Sequence, residues 1–248
     1  MKTQRPQRGN PHRLTVEQHV FPARSIERFA AADGKVSVRL RHTNKQLRLR
    51  PDNSLFCAKR AWDQRAEAGY MKTIEDEFQT LADQITGGSA RIDEEKSRIV
   101  SRFFALWCFR FRARHKSTPD HLVEGIAGER LSRNEEETLE AKHVGFFRSD
   151  QTMPGRAVCG LWIQMFIDKL EADFRGIRWG IASARQGELI LPDTFDRFAL
   201  VPVAPTTYLV CGSGDAELSL AQIVEINRLA LQSARHYYVA RDFARCPL

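Results

Sequence analysis

The chain has 248 residues, 42% of them hydrophobic and 9% aromatic, which is enough for a sizeable core and excludes broad disorder. With 38 Lys and Arg against 31 Asp and Glu, the net charge is +7, an excess that serves solubility or contact with an acidic partner, of which nucleic acid is the commonest. No apolar run approaches the roughly 18 residues of a membrane span, and the five cysteines (Cys57, Cys108, Cys159, Cys211 and Cys246) are odd in number, widely spaced and without a CxxC pair, which argues against a disulfide framework or a zinc ribbon.

The length points to a single α+β domain over residues 14–248 behind a flexible basic arm. That arm, MKTQRPQRGNPHR (1–13), carries Lys2, Arg5, Arg8 and Arg13 and no acid. It lacks the apolar segment of a signal peptide, so the expected location is the cytoplasm with no membrane partner. Alternation in VSVRLRHTNKQLRLR predicts a β-hairpin turning near His42, Thr43 and Asn44 and ending at Pro51. Its outward face would present Arg39 and Arg41 on one strand and Arg48 and Arg50 on the other.

Met71, Ile74, Phe78, Leu81 and Ile85 fall on one face of a helix over 70–86, stopped by Gly87-Gly88. A longer helix over 92–116 turns Ile99, Phe103, Leu106 and Trp107 to the core. From Lys96 to Lys116 it holds seven basic residues and no acid, Arg110, Arg112 and Arg114 among them. Residues 129–142 read as an acid-rich surface helix, and 157–174 as a helix apolar nearly all round and therefore buried. Short β-type runs follow at Ile177–Ala184, Glu188–Leu191, Phe198–Val203 and Thr207–Val210, predicting an antiparallel or mixed sheet. A last helix is predicted over Ser219–Tyr238.

Asn227 falls in the middle of the apolar face of that last helix, with Arg235 on its rim. A buried amide needs partners, and the plainer expectation is that it ties down a neighbouring loop. His19 stands three residues before Pro22, in an extended or turn segment, where it suits either general acid/base work or backbone capping. Asp193 closes the run LILP, a place for a catalytic carboxylate or for a turn cap. Glu75 and Glu77 flank the apolar stripe of the 70–86 helix; one of them turning inward would stand beside His19, and the plainer expectation is that both are solvated. Asp120, Glu140 and Lys142 share the spacing of a PD-(D/E)xK nuclease, but the intervening residues read as helix and loop rather than the hairpin that motif needs.

QHVFPARSIERFAAADGKVSV, IVSRFFALWCFRFR, LILPDT and INRLALQSARHYYV, in that order, resemble domain-of-unknown-function family 4238 from about Gln18 to Phe243. The Ser and second proline of that family's strand-end motif are absent here. The resemblance brings no assigned activity, and it leaves cofactor and metal unknown. It marks His19, Asp193, Asn227 and Arg235 as shared polar positions.

A base, a carboxylate, an amide and a guanidinium suit phosphodiester chemistry. With the basic surface of Arg39, Arg41, Arg48, Arg50, Arg110, Arg112 and Arg114, they point to a nuclease-like enzyme acting on nucleic acid. The rival is a non-catalytic nucleic-acid- or protein-binding module in which the same residues knit the termini together.

Overall fold

The hairpin forms where the alternation places it: β2 (Val36–Leu40) pairs with β3 (Gln46–Leu49), setting Ser37 opposite Arg48 and Arg39 opposite Gln46. Asn44 takes the turn at φ +54, a left-handed conformation that Asn tolerates better than most side chains. The computed structural model describes residues 5–195 and 197–248. Within it the hairpin is half of a four-stranded sheet, β3-β2-β12-β8, in which β12 (Tyr237–Ala240) and β8 (Leu191–Pro192) come from the other end of the chain.

That pairing corrects the expected last helix. The helix α7 (Leu220–Ser233) opens with a Ser219/Gln222 capping box and stops short of Tyr238, because Ala234 turns extended at ψ 127. The run Tyr-Tyr-Val-Ala is aromatic and β-branched, suited to a pleated surface, and β12 gains partners on both edges. Residue 235 therefore lies beyond the helix, not on its rim.

The second sheet runs β11-β7-β10-β9, from Ala216–Leu218, Trp179–Ala184, Thr207–Cys211 and Leu200–Ala204. Its β11 runs parallel to β7 and the rest is antiparallel, so the sheet is mixed. Of the expected strand Glu188–Leu191, Leu191 alone is in a strand, and that strand belongs to the hairpin sheet.

The helices α3 (Tyr70–Thr86) and α4 (Glu94–Arg114), close to their predicted bounds, pack against each other and against β9. All five residues of the α3 stripe are buried, and Phe78 stacks on Phe103 of α4 with ring centroids 3.6 Å apart. The apolar helix α6 (Gly155–Asp173) packs one face, Val158, Cys159, Ile163 and Ile167, into the core. Contrary to the expectation of full burial, it leaves Trp162, Met165 and Phe166 exposed, because no further layer covers its outer side. One contiguous set of buried residues runs from Val20 to Cys246, and the expected α+β class holds.

Two short ribbons complete the frame. β1 (Glu17–His19) pairs antiparallel with β4 (Cys57–Lys59), and β5 (His121–Leu122) with β6 (Thr152–Met153). Pro22 caps α1 (Ala23–Glu27), so the His-to-Pro segment is extended as its proline requires. Gln18, buried on β1, accepts from Ala61 N and Trp62 N and donates to Trp62 O, which fixes the turn from β4 into α2 (Gln64–Ala68).

The acid-rich helix α5 (Arg133–Ala141) is less of a surface element than its composition predicts: Glu137 and Glu140 face inward. Of the basic arm, residues 1–4 lie outside the described residues. Its remainder is held against α5, with Gln7 N donating to the Glu137 carboxylate at 2.9 Å and His12 Nε2 at 2.9 Å from Asn134 Oδ1. A buried glutamate needs such donors.

Candidate functional site

The four polar positions singled out in the sequence do not form one constellation. Asn227 is fully buried and spends its amide on backbone: Oδ1 accepts from Ile190 N at 2.9 Å, and Nδ2 donates to Glu188 O and Pro247 O, both at 3.0 Å. His19 sits at the end of β1 opposite Cys57, with Nε2 3.3 Å from Pro51 O. Asp193 and Arg235 do meet, but through the Arg235 backbone N–H, which donates to Asp193 Oδ1 at 2.8 Å; the Arg235 side chain is exposed.

Asp193 is the pivot of this region. Only 2% exposed, its carboxylate also accepts from His236 N at 2.8 Å and lies 3.0 Å from His236 Nδ1. Trp107 Nε1 donates to its backbone oxygen at 3.2 Å. Burial raises the Asp193 pKa, and the bonds from Arg235, His236 and the His236 ring oppose that rise. The two backbone donors are the amides freed where α7 gives way to β12, so the carboxylate caps that transition.

His236 was not singled out by the sequence reading, and the structure makes it the more reactive partner. Its side chain is 38% exposed while Nδ1 is held by a buried carboxylate. The ring of His115, the residue capping the C-terminus of α4, lies 4.2 Å from it, centroid to centroid. Burial, then the neighbouring His236 and Arg114, hold the His115 pKa below its ordinary value. The only sequence signal for His236 is its place two residues after Ala234 in SARHYY, next to Arg235.

His115 also lines a cleft of about 550 Å³ between the end of α4, β4 and the start of α6. Its cations are Lys59, Arg60, Arg114 and Arg156, with Asp120 as the acid. They are not equivalent. Arg60 Nη2 and Arg156 Nε each lie 2.7 Å from Glu140 Oε2, which neutralises part of their charge. Lys59 and Arg114 have no carboxylate partner among the described residues; Arg114 donates to Leu55 O and stacks over the Tyr237 ring at 5.6 Å.

Two backbone features shape this wall. Arg60 adopts φ +47, a conformation that a long side chain rarely takes and that concentrates at functional sites. Gly155 opens α6 so close to the next segment that a Cβ would fall 2.0 Å from Thr118 O.

The seven arginines expected on a nucleic-acid surface divide. Arg110 is a correction: 1% exposed, it pairs with Glu75 and Glu67, donates to His19 O at 3.1 Å and stacks over Trp62, so no phosphate reaches it. Glu75 is thus the inward-turning glutamate, joined to the His19 backbone through Arg110, while Glu77 pairs with Arg102. Arg48 is engaged with Asp33 and Ser37, and Arg39 with Gln46 and the Phe243 ring. Arg41, Arg50 and Arg112 are exposed, Arg50 beside Asp52, and Arg114 faces the cleft.

Among the described residues, no group of three or more His, Cys, Asp or Glu side chains is arranged to hold a metal, and no helix is long and apolar enough to cross a membrane. Asp120 and Glu140 are engaged separately, with Arg148 and Gly155 N on one side and Arg60 and Arg156 on the other. The chain matches no family model, no curated protein and no solved structure.

Proposed function

We propose that the protein is a nuclease-like enzyme that acts on the phosphodiester backbone of nucleic acid, with His236 as its general base. The observation that carries this reading is a buried carboxylate holding a half-exposed histidine, joined through His115 to a cleft lined by arginine and lysine. A carboxylate accepting at Nδ1 keeps the ring proton there and leaves Nε2 as the proton acceptor. The same bond stabilises the imidazolium that forms once Nε2 takes a proton. Arg114 and Lys59, without acidic partners among the described residues, supply positive charge for a phosphate. Burial and the neighbouring charges hold the His115 pKa down, which disfavours a second positive charge beside a protonated His236.

The test is cleavage of end-labelled single-stranded RNA and DNA by the purified protein and by His236→Ala. The expected outcome is cleavage by the parent and a loss of 100-fold or more in the variant, on the order of what general acid/base groups contribute, with an unchanged melting curve. No cleavage by the parent, or equal cleavage by the variant, refutes the reading.

A further inference from the structure

A second cavity, of about 470 Å³, lies between the basic arm and β4, lined by Arg5, Gln7, Asn10, Glu17, Lys59 and Arg60 among others. Lys59 and Arg60 line this cavity and the histidine-bearing cleft alike. The two hollows therefore adjoin along a single strand edge. Both volumes fall in the range of about 300–1,000 Å³ typical of ligand sites.

Among the described residues, the groove brings unpaired cations together from three segments of the chain: the arm, β4 and the end of α4. Arg5 and Lys59, like Arg114, have no carboxylate partner among the described residues, whereas Arg24, Arg28, Arg48, Arg102 and Arg148 are all ion-paired. Glu17 is the acid in the second cavity, and it lies across the β1–β4 ladder from Lys59. The arm wall is held in place by its own bonds: Gln7 N to Glu137, and Arg133 to the backbone oxygen of Arg5. Neither bond engages the guanidinium of Arg5, which lines the cavity.

We infer that the arm cavity is a second phosphate-binding position of the same groove, so that a single strand of nucleic acid runs along β4. One phosphate lies beside Arg114 and His115, and a neighbouring one between Arg5 and Lys59. The ends of β4 lie two rises, roughly 7 Å, apart, a reach suited to neighbouring phosphates of one strand. This rests on the reading of the cleft as a nucleic-acid site, and it assigns the arm a part in gripping substrate beyond the point of chemistry.

Fluorescence anisotropy of labelled single-stranded RNA tests it, with a dinucleotide and a decanucleotide bound to the full-length protein in the His236→Ala background, so that no strand is cut. Arg5→Glu is expected to weaken decanucleotide binding by about tenfold and to lower the salt slope by about one, as the loss of one phosphate contact requires. Dinucleotide binding changes less than twofold. Lys59→Glu, which reverses a charge shared by both cavities, weakens both ligands; thermal melts confirm that each variant is folded. Equal decanucleotide affinity with and without Arg5→Glu overturns the inference, as does a loss of the same size for both oligonucleotides. A protein that cleaves nothing but shows the selective Arg5 effect refutes the catalytic reading and leaves the groove standing. Cleavage with no Arg5 effect does the reverse.

Discussion

Replacing Asn227 with alanine separates a stitching role from a catalytic one. The side chain is fully buried and makes three hydrogen bonds, all to main-chain groups. Alanine leaves the Ile190 N–H and the Glu188 carbonyl without partners in the core, whereas the Pro247 carbonyl, partly exposed, rehydrates. Each orphaned group costs about 1–3 kcal/mol, so the two together predict a loss of roughly 2–6 kcal/mol. Against a domain stability of about 5–15 kcal/mol, that brings the protein close to its unfolding threshold. Asn227→Asp keeps the acceptor for Ile190 but turns an anion toward two carbonyls, and it is expected to lose at least as much. Urea unfolding followed by tryptophan fluorescence and far-UV circular dichroism measures both. Cleavage per folded molecule should stay unchanged, because Asn227 contacts neither His236 nor the cleft. A loss below about 1 kcal/mol with an unaltered m-value would show that water or a backbone shift resatisfies these groups, and the stitching argument would fail.

Other outcomes follow from the buried ionisable groups. Burial raises the Asp63 pKa from 3.8 to about 6, against the pull of Arg65 and the Ala66 N–H. A carboxyl raised on folding contributes stability below its unfolded pKa and loses it as pH rises through the folded one, so the parent should weaken between about pH 4 and 6. Asp63→Asn keeps the α2 cap and removes that slope, gaining up to about 3 kcal/mol at pH 7; melts at pH 4 and pH 7 that shift equally for parent and variant would contradict this. All five cysteines are thiols, and burial pushes Cys57 and Cys246 up to about 12. Native protein at pH 8 should therefore react with a thiol reagent first at the partly exposed Cys211, and early labelling of Cys57, read by mass spectrometry, would show that the cleft wall opens.

Much of the frame was legible because period and burial coincide. The α3 stripe, the hairpin with its Asn44 turn, and the buried amide of Asn227 were each readable from spacing, since each obeys a local rule. The overrun of the last helix had a different origin. Ser219–Tyr238 keeps an apolar period throughout, and nothing local to Ser233 announces the end. What ends the helix there is distant: two edges offered by β2 and β8, and a carboxylate from Asp193 waiting for the freed amides. Tertiary pairing overrode helical propensity.

The same distance effect hid the candidate site. Asp193 read ambiguously as catalyst or cap, and its two oxygens do serve the Arg235 and His236 amides; the second oxygen also holds the His236 ring. The capping geometry is thus what aims the histidine. Once Asp193 is fixed by the two backbone donors, the ring that follows them has its Nδ1 brought to the carboxylate while the side chain stays partly exposed. His236 is reachable by inference only after the helix end is known, and His115 only after α4 is seen to stop beside it. In the opposite direction, the basic run of α4 promised a continuous phosphate surface, but a helix turns each residue by about 100°. Arg110 therefore points inward to Glu67 and Glu75, while Arg114, one turn on, sits at the end where the core gives out and the cleft begins. Two arginines four residues apart share a face in the helical pattern, and the place where the helix stops separates the one that holds the fold from the one that can hold a phosphate.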